Sequence, residues 1–576
     1  MLVKFKKGSR ARTLSVLLFL VIGVVIVRLF QIQILDHDMY VERANEEHIK
    51  RLVIPAKRGR IYVMDRDRPT QLVMNETVYT LFADPMIVTD ANRAERVIRR
   101  VAGGNLVTDL RGALSQVNTR YQVLATNLSR RQAEMIREER LTGIGFQETT
   151  RRVYPEGALA SQTLGFVNRD GIGQYGVEGA LDDRLRGTDG LLESVTDISA
   201  IPLTIGNRNI NEPAVDGDDI VLTIDRNVQA YTEKALRRGI QRTGATDGSV
   251  IVMDPNNGRI MAMANYPTYN QAEFGRVRDT RLFSNPVVTD PYEPGSVIKV
   301  FTLAAGIDTG TITPRSTFYN TDSIRVGDRT IGNAFTGRLG RVDMQTVLDL
   351  SLNTGVVTVL ERMGGGSINR QARNTLYEYF HDKFGFGVET GIELHEELGR
   401  VISPQDEEGN AVRYSNMTFG QGMDVTMLQV ARGFSAVING GDLPRATIVR
   451  GVMRDGQLRE YEPEMDREGV IRSSTSNTLR QMLVDGRATI FGIHDRRGHM
   501  VGGKTGTSET LVDGVYVKTS TIGTYLGFGG DDRPRYVIMV RVHGDGLRME
   551  GGPHAQPIFT DISNWLIDYL RLQPRR

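Results

Sequence analysis

The sequence predicts a mixed α/β protein of several domains, tethered by one N-terminal transmembrane helix. Three observations carry that reading. At 576 residues the chain is longer than one hydrophobic core usually serves and fits about three or four structural units. Its 40% hydrophobic and 24% charged content is globular, which excludes a mostly disordered chain and leaves room for at most one span of a bilayer. From about residue 220 onward, short apolar runs bounded by turn residues alternate with amphipathic helical stripes.

The first element is the tether. Residues 1–12 hold Lys4, Lys6, Lys7, Arg10 and Arg12 and no acid. Because the net charge is only +2, the rest of the chain is slightly acidic, which argues against nucleic acid as a partner. Residues 13–27 are free of charge, and a helix over 14–35 would reach about 33 Å, enough for the hydrocarbon core. Arg28 lies near one end, where its side chain can snorkel to the interface. A cleaved signal peptide is the competing reading, but no small-x-small site follows the run, and the pattern favours an uncleaved anchor. The basic tail then places the N-terminus in the cytoplasm and everything beyond Leu35 outside, at the cell (inner) membrane. Cysteine is absent, which removes disulfides, thiolate nucleophiles and thiolate-bound zinc. The eight histidines form no HExxH and no i,i+4 pair, so no metal and no other cofactor is expected.

Residues 36–215 are rich in arginine and show helical periods only around 92–101 and 130–140, which reads as an extended mixed α/β region. The stretch PAVDGDD at 213–219 is a turn-rich boundary. Beyond it, 220–224 reads as a strand and 228–240 as an amphipathic helix, followed by a hairpin of 249–254 and 259–264 about Pro255-Asn256-Asn257-Gly258. Further strands are read at 521–527 and 536–542. A last helix from Pro557 carries Ile558, Phe559, Ile562, Trp565, Leu566 and Tyr569 on one stripe, so it should lie on a sheet, with the lone tryptophan as packing.

Lysine is scarce, with ten in the chain, so positions that use one invite a question. Ser296-Val297-Ile298-Lys299 opens an apolar helical run and places the serine at a helix N-terminus with the lysine one turn on, on the same face. A neutral lysine there could take the serine proton, and the helix-start N–H groups could stabilise an oxyanion. The plain alternative is a capping serine beside a solvated lysine. Lys504-Thr505-Gly506-Thr507 is the second feature: its glycine would permit a substrate backbone to approach a strand, and its lysine and hydroxyls suit a carboxylate. Residues 498–505 also fit the phosphate-loop pattern GxxxxGK[ST], but turn-rich, strand-like sequence follows where that loop needs a helix. Third, Ser351-Leu352-Asn353 lies inside an apolar helical run over 347–363; a second Ser-x-Asn at Ser367 follows three glycines in a loop.

The order of these motifs, SxxK then SxN then KTG, resembles the set shared by penicillin-binding proteins and class A β-lactamases, with Leu352 where that set has an aspartate. Over nearly its whole length the chain resembles the class B penicillin-binding proteins, the monofunctional peptidoglycan transpeptidases. Tyr292-Glu293-Pro294-Gly295-Ser296, Phe384-Gly385-Phe386-Gly387, Phe419-Gly420-Gln421-Gly422 and Gly551-Gly552 look like that family's. In the first half, Arg58-Gly59-Arg60, Arg152-Val153-Tyr154-Pro155 and Gly176-Val177-Glu178-Gly179 resemble its pedestal motifs. Residues 62–66 are longer than the usual turn after the Arg-Gly element.

The resemblance implies a cytoplasmic tail at 1–12, an anchor at 13–35, a pedestal of the dimerisation-domain type at 36–215 and a transpeptidase domain at 216–576, an antiparallel sheet flanked by helices and serine β-lactamase-like. It implies that Ser296 attacks the penultimate D-Ala carbonyl of a stem peptide with Lys299 as base. Ser351 and Asn353 would relay protons and orient the substrate, Lys504 would support that network, the hydroxyls of Thr505 and Thr507 would bind the terminal carboxylate, and Gly506 between them would be part of the substrate-binding strand. Backbone N–H groups of Ser296 and Thr507 would form the oxyanion hole. Its implied partners are peptidoglycan stem peptides, β-lactams bound covalently at Ser296, and, for a septal FtsI-type enzyme, an FtsW-type glycosyltransferase and other divisome membrane proteins. The alternatives are an elongation-type enzyme of the same family, a carboxypeptidase, a β-lactam sensor or membrane β-lactamase, and a non-catalytic divisome scaffold.

Overall fold

Short apolar runs bounded by turns become strands buried on both faces, and Asp247–Met253 does so within a five-stranded antiparallel sheet. In this computed structural model, which describes residues 9–37, 49–107, 109–116, 119–195, 210–512 and 515–575, the sheet order is Ile260–Tyr266, Asp247–Met253, Pro534–His543, Val515–Gly530, Met500–Val512. The first pair is the expected hairpin about Pro255-Asn256-Asn257-Gly258, with Val250 opposite Ala264. Val250 and Val252 point to one face and Ile251 and Met253 to the other, and each face meets its own core. Arg226–Thr243 and Gln556–Tyr569 cover the first face. Their aromatic side chains form a ladder in which Trp565 stacks on Tyr231 at 4.3 Å and on Tyr569 at 4.6 Å. The second face packs against the helical part of the domain, including Phe301, Phe434 and Leu479.

The strand Asp219–Asp225 belongs to a different sheet. It pairs in parallel with Ile61–Asp65, Ile220 opposite Ile61, and antiparallel with Val449–Arg454. Through Arg68–Ala83 this seven-stranded sheet continues to Gln122–Leu128 and Ile144–Val153. Both helical periods read in this region are helices, Ala91–Ala102 and Arg130–Glu138. Asp90 and Ser129 cap them by accepting N–H bonds from Arg93 and Gln132.

By contacts the chain divides into two units, one of Gly59–Leu185 with Asp218–Arg576 and one of Met1–Arg58 with Arg186–Gly217. In the second, Ser9–Phe30 is α-helical and runs on as a π-helical turn to Leu35. The segment Thr13–Leu35 has a mean hydropathy of 2.7, is long enough to cross a membrane and has no residue of its apolar window buried. Arg28 near its end donates to the Gln31 side chain at 2.8 Å. The same unit holds a three-stranded sheet of Ile49–Ile54, Gly190–Val195 and Ile210–Glu212. The basic residues Lys4, Lys6 and Lys7 lie outside the described residues.

Candidate active site

The site is built where the edge strand Met500–Val512 meets the start of an apolar helix. Gly295–Ile298 is a 3₁₀ turn that leads directly into the α-helix Lys299–Asp308, so Ser296 and Lys299 share one face at its N-terminal end. Gly295 has φ +64°, and a Cβ there would lie 2.6 Å from the Thr507 carbonyl oxygen. Gly506 is equally hemmed in: its Cβ would lie 3.0 Å from the Pro294 oxygen and 3.0 Å from Val297. Gly506 thereby lets the strand touch the nucleophile turn, a use beside the substrate approach that the sequence reading gives it. Among the described residues no strand covers the free edge of Met500–Val512, so the backbone from Lys504 to Thr507 has an open side beside Ser296.

Lys299 is 1% exposed and not solvated, which removes the plain alternative. Its Nζ donates to the Ser351 carbonyl oxygen at 2.5 Å and to Ser351 Oγ at 3.0 Å. Burial, and then the neighbouring charge of Lys504, hold its pKa well below the ordinary lysine value. A neutral amine that spends two N–H bonds on Ser351 keeps its lone pair for a proton from Ser296. Ser296 is half-buried, and its Oγ makes no hydrogen bond among the described residues, so it is accessible to attack a ligand.

The residue that receives Lys299 has an unusual backbone. The apolar run read as one helix is two, Met344–Asp349 and Asn353–Met363, and Ser351 lies between them at φ +56°. This left-handed conformation, costly for a residue with a Cβ, is what turns both its oxygens toward Lys299. The helix reading fails here because apolar spacing continues across the break: Leu348 and Leu352 are both buried, and only the backbone between them reverses. Asn353 opens the second helix and donates through Nδ2 to the Gly332 oxygen at 2.8 Å, tying the site to the strand Arg329–Gly332.

Lys504 is 5% exposed, and burial brings its pKa down to about 7, an effect opposed by the charge of Asp349. Its Nζ donates to the Thr505 oxygen at 3.0 Å and to Thr505 Oγ1 at 3.3 Å. Thr507 Oγ1 accepts the Gly551 N–H at 3.3 Å. Both hydroxyls therefore keep their own O–H to donate to a carboxylate. The sequence reading missed Asp349. Its side chain and that of Lys504 line the same cavity of about 20 Å³, and Gly486 makes room for it, since a Cβ there would be 2.5 Å from Asp349 Oδ1. An acid in an apolar run, two residues before Ser351, was the available signal. The phosphate-loop pattern at 498–505 runs from a turn into this strand, with no helix after it, and is not a nucleotide site.

Residues 248–564 match the model of the penicillin-binding protein transpeptidase domain, which is more than half of the chain. The chain belongs to this family. Residues 53–222 of this penicillin-binding protein match the penicillin-binding protein dimerisation domain. It is 30% identical over 445 residues to penicillin-binding protein PbpB of Mycobacterium tuberculosis, covering 74% of this chain and 63% of that one. It is 27% identical over 561 residues to the probable peptidoglycan D,D-transpeptidase PenA of Neisseria meningitidis, covering 96% of this chain and 91% of that one. The solved structure of penicillin-binding protein 3 of Mycobacterium tuberculosis, complexed with aztreonam, superposes with a TM-score of 0.67 at 26% identity, covering 91% of this chain and 98% of that one.

The three pedestal motifs also meet in space. Arg152 donates to Glu178 at 2.6 Å, to the Gly59 oxygen at 2.7 Å and to Asn75 at 2.8 Å. Tyr154 OH accepts the Val167 N–H at 3.0 Å. The Arg152 and Glu178 side chains are 4% and 0% exposed, so the ion pair is buried.

Proposed function

We propose that the chain is a serine-type D-Ala-D-Ala transpeptidase that crosslinks peptidoglycan stem peptides. The observation that supports this best is Lys299: buried, without a counter-ion among the described residues, turned onto Ser351 and one helical turn from Ser296. Ser296 Oγ attacks the penultimate D-Ala carbonyl while its proton passes to neutral Lys299 Nζ. The oxyanion forms toward the N–H groups of Ser296 and Thr507. Collapse breaks the peptide bond, the Lys299 proton goes by way of Ser351 to the leaving amine, and D-Ala departs. An amine of a second stem peptide then attacks the acyl-serine; its proton returns through Lys299 to Ser296 Oγ, and a new amide is released. Asn353 orients the donor amide, Lys504 keeps positive charge beside the base, and Thr505 and Thr507 hold the terminal carboxylate. β-Lactams acylate the same serine.

In this reading 1–12 is the cytoplasmic tail, 13–35 the membrane anchor, 36–215 the pedestal and 216–576 the transpeptidase domain, placed outside the membrane. Likeness to the septal FtsI-type enzymes supports a role in division, with an FtsW-type glycosyltransferase as membrane partner. A fluorescent fusion that gathers at midcell supports the septal assignment, and one spread along the side wall replaces it with the elongation role. The chemistry is tested by labelling the full chain with a fluorescent penicillin and mapping the labelled peptide. Label on Ser296 that vanishes in Ser296→Ala and persists in Ser367→Ala is expected. A folded protein that takes no label refutes the transpeptidase reading in favour of a scaffold.

A further inference from the structure

From Tyr536 to Val540 the strand Pro534–His543 is apolar on both faces. On the face that packs the helical part of the domain, Val537 and Met539 are followed two residues on by Arg541. This guanidinium is buried, and the chemistry above does not use it. Its Nη1 donates to Asp290 at 2.5 Å, it lies 4.7 Å from the centre of the Tyr292 ring, and its Nε has no hydrogen-bond partner among the described residues. A buried ion pair adds little to stability over an apolar side chain of similar volume, and an unpartnered N–H is a further cost. Stability alone therefore does not account for an arginine here.

Its neighbours show where it acts. Arg541 stands opposite Thr524 and Thr524 opposite Gly506, so the three form a row across the strands Pro534–His543, Val515–Gly530 and Met500–Val512. Tyr292, four residues before Ser296, lies over this row: its ring meets the guanidinium, and its hydroxyl is 3.4 Å from Thr524 Oγ1. Gly506 closes the row against Pro294 and Val297. Backbone bonds from Tyr292 to Val425 and from Gly295 to Gly420 fix this segment to the loop between the helices Ala411–Met417 and Met427–Asn439. The contacts of Asp290 and Tyr292 with Arg541 and Thr524 fix it to the sheet.

That second attachment bears on the reaction. The two N–H groups of the oxyanion hole come from separate elements, Ser296 from the turn and Thr507 from the edge strand, and both must point at one oxygen. A shift of the turn against the sheet by about 1 Å would part them, and a misplacement of that size can cost about 10²-fold in rate. We propose that Arg541 is a positioning residue for acylation, holding Asp290 and Tyr292 on the sheet so that Ser296 and the Thr507 N–H stay in register. This rests on the transpeptidase reading above and adds to it a residue that acts through the nucleophile turn.

The test uses the full chain in detergent and stopped-flow labelling by a fluorescent penicillin over a range of concentrations, which separates the dissociation constant of the encounter complex from the limiting acylation rate. Arg541→Leu is expected to lower the limiting rate by about 30-fold, with the dissociation constant within about twofold and the melting temperature not lowered. Arg541→Lys, whose ammonium can meet both Asp290 and the Tyr292 ring, is expected to recover to within about fivefold of the unaltered rate. Asp290→Asn, at a half-buried site, is expected to lose about tenfold in the same limiting rate, and it decides the question if Arg541→Leu does not fold. A limiting rate per folded molecule that either Arg541→Leu or Asp290→Asn leaves unchanged overturns the proposal, as does a loss confined to the dissociation constant or a lysine variant no faster than the leucine one. Label that never forms on Ser296 of the unaltered protein overturns the transpeptidase reading and this inference with it. Label that forms there at a rate indifferent to residue 541 overturns this inference alone.

Discussion

Two groups of buried charge in this protein are built on opposite plans. In the pedestal, Arg152 and Glu178 are buried together, opposite in sign, 2.6 Å apart, and further bonded to Gly59 and Asn75. In the catalytic domain, Lys299 and Lys504 are buried near one another with the same sign, and neither makes an ion pair among the described residues. Burying a charge is costly in both places. The pedestal recovers that cost through pairing and gains a fixed geometry. The catalytic domain compensates it only in part, through hydrogen bonds to Ser351 and the more distant charge of Asp349, and the remaining cost appears as amines that give up their protons easily. Full pairing yields structure; partial compensation yields chemistry.

Substitutions at each group should therefore fail in different ways. The largest effect is expected from Lys299→Met: acylation slower by about 10³-fold or more, with a melting temperature unchanged or raised, because the removed group is a base that burial disfavours. A melting temperature that fell with activity would assign Lys299 to the structural plan instead. Glu178→Gln should do the reverse, costing about 3–5 kcal/mol in denaturant unfolding by leaving Arg152 unpaired, with acylation per folded molecule retained. The pH profile sharpens the contrast. Lys299 works as a base when neutral, and its lowered pKa keeps it neutral far below the ordinary lysine range, so its own titration slows acylation only on the acid side. Lys504, at about 7, is charged below that pH and neutral above it, so acylation by carboxylate-bearing β-lactams should decline by about tenfold as pH rises past it. Lys504→Arg, which stays charged, should move this alkaline limb upward by more than one pH unit in stopped-flow labelling. The smallest effect concerns the Ser351 backbone at φ +56°. Ser351→Gly and Ser351→Ala should lose labelling rate alike, yet the glycine variant should be more stable by about 1 kcal/mol.

Much of this was legible in the residues. The hairpin about Pro255-Asn256-Asn257-Gly258, the strand holding Lys504 and the helix behind Ser296 follow from local pattern, because each is decided by neighbours within a few positions. Ser351 was assigned to a helix because a backbone reversal of one residue leaves hydrophobic spacing intact. The packing of Gly506 against the nucleophile turn is not legible in the sequence because its neighbours there, Pro294 and Val297, are more than two hundred positions away. The parallel pairing of Asp219–Asp225 with Ile61–Asp65 is non-local in the same way, and no turn chemistry announces it. Asp349 shows a further limit. An acid in an apolar run is visible, but the lysine whose charge it opposes lies on another element.

The aromatic ladder on the far face of the sheet gives the molecule an optical property. Trp565 is the only indole in the chain, so all tryptophan emission originates between Tyr231 and Tyr569, in a core separate from the one that packs the nucleophile helix. Excitation at the red edge interrogates the docking of one terminal helix and nothing else. Ligand events at Ser296 that leave this emission unchanged are confined to the other side of the sheet. Those that alter it have crossed the sheet from one core to the other.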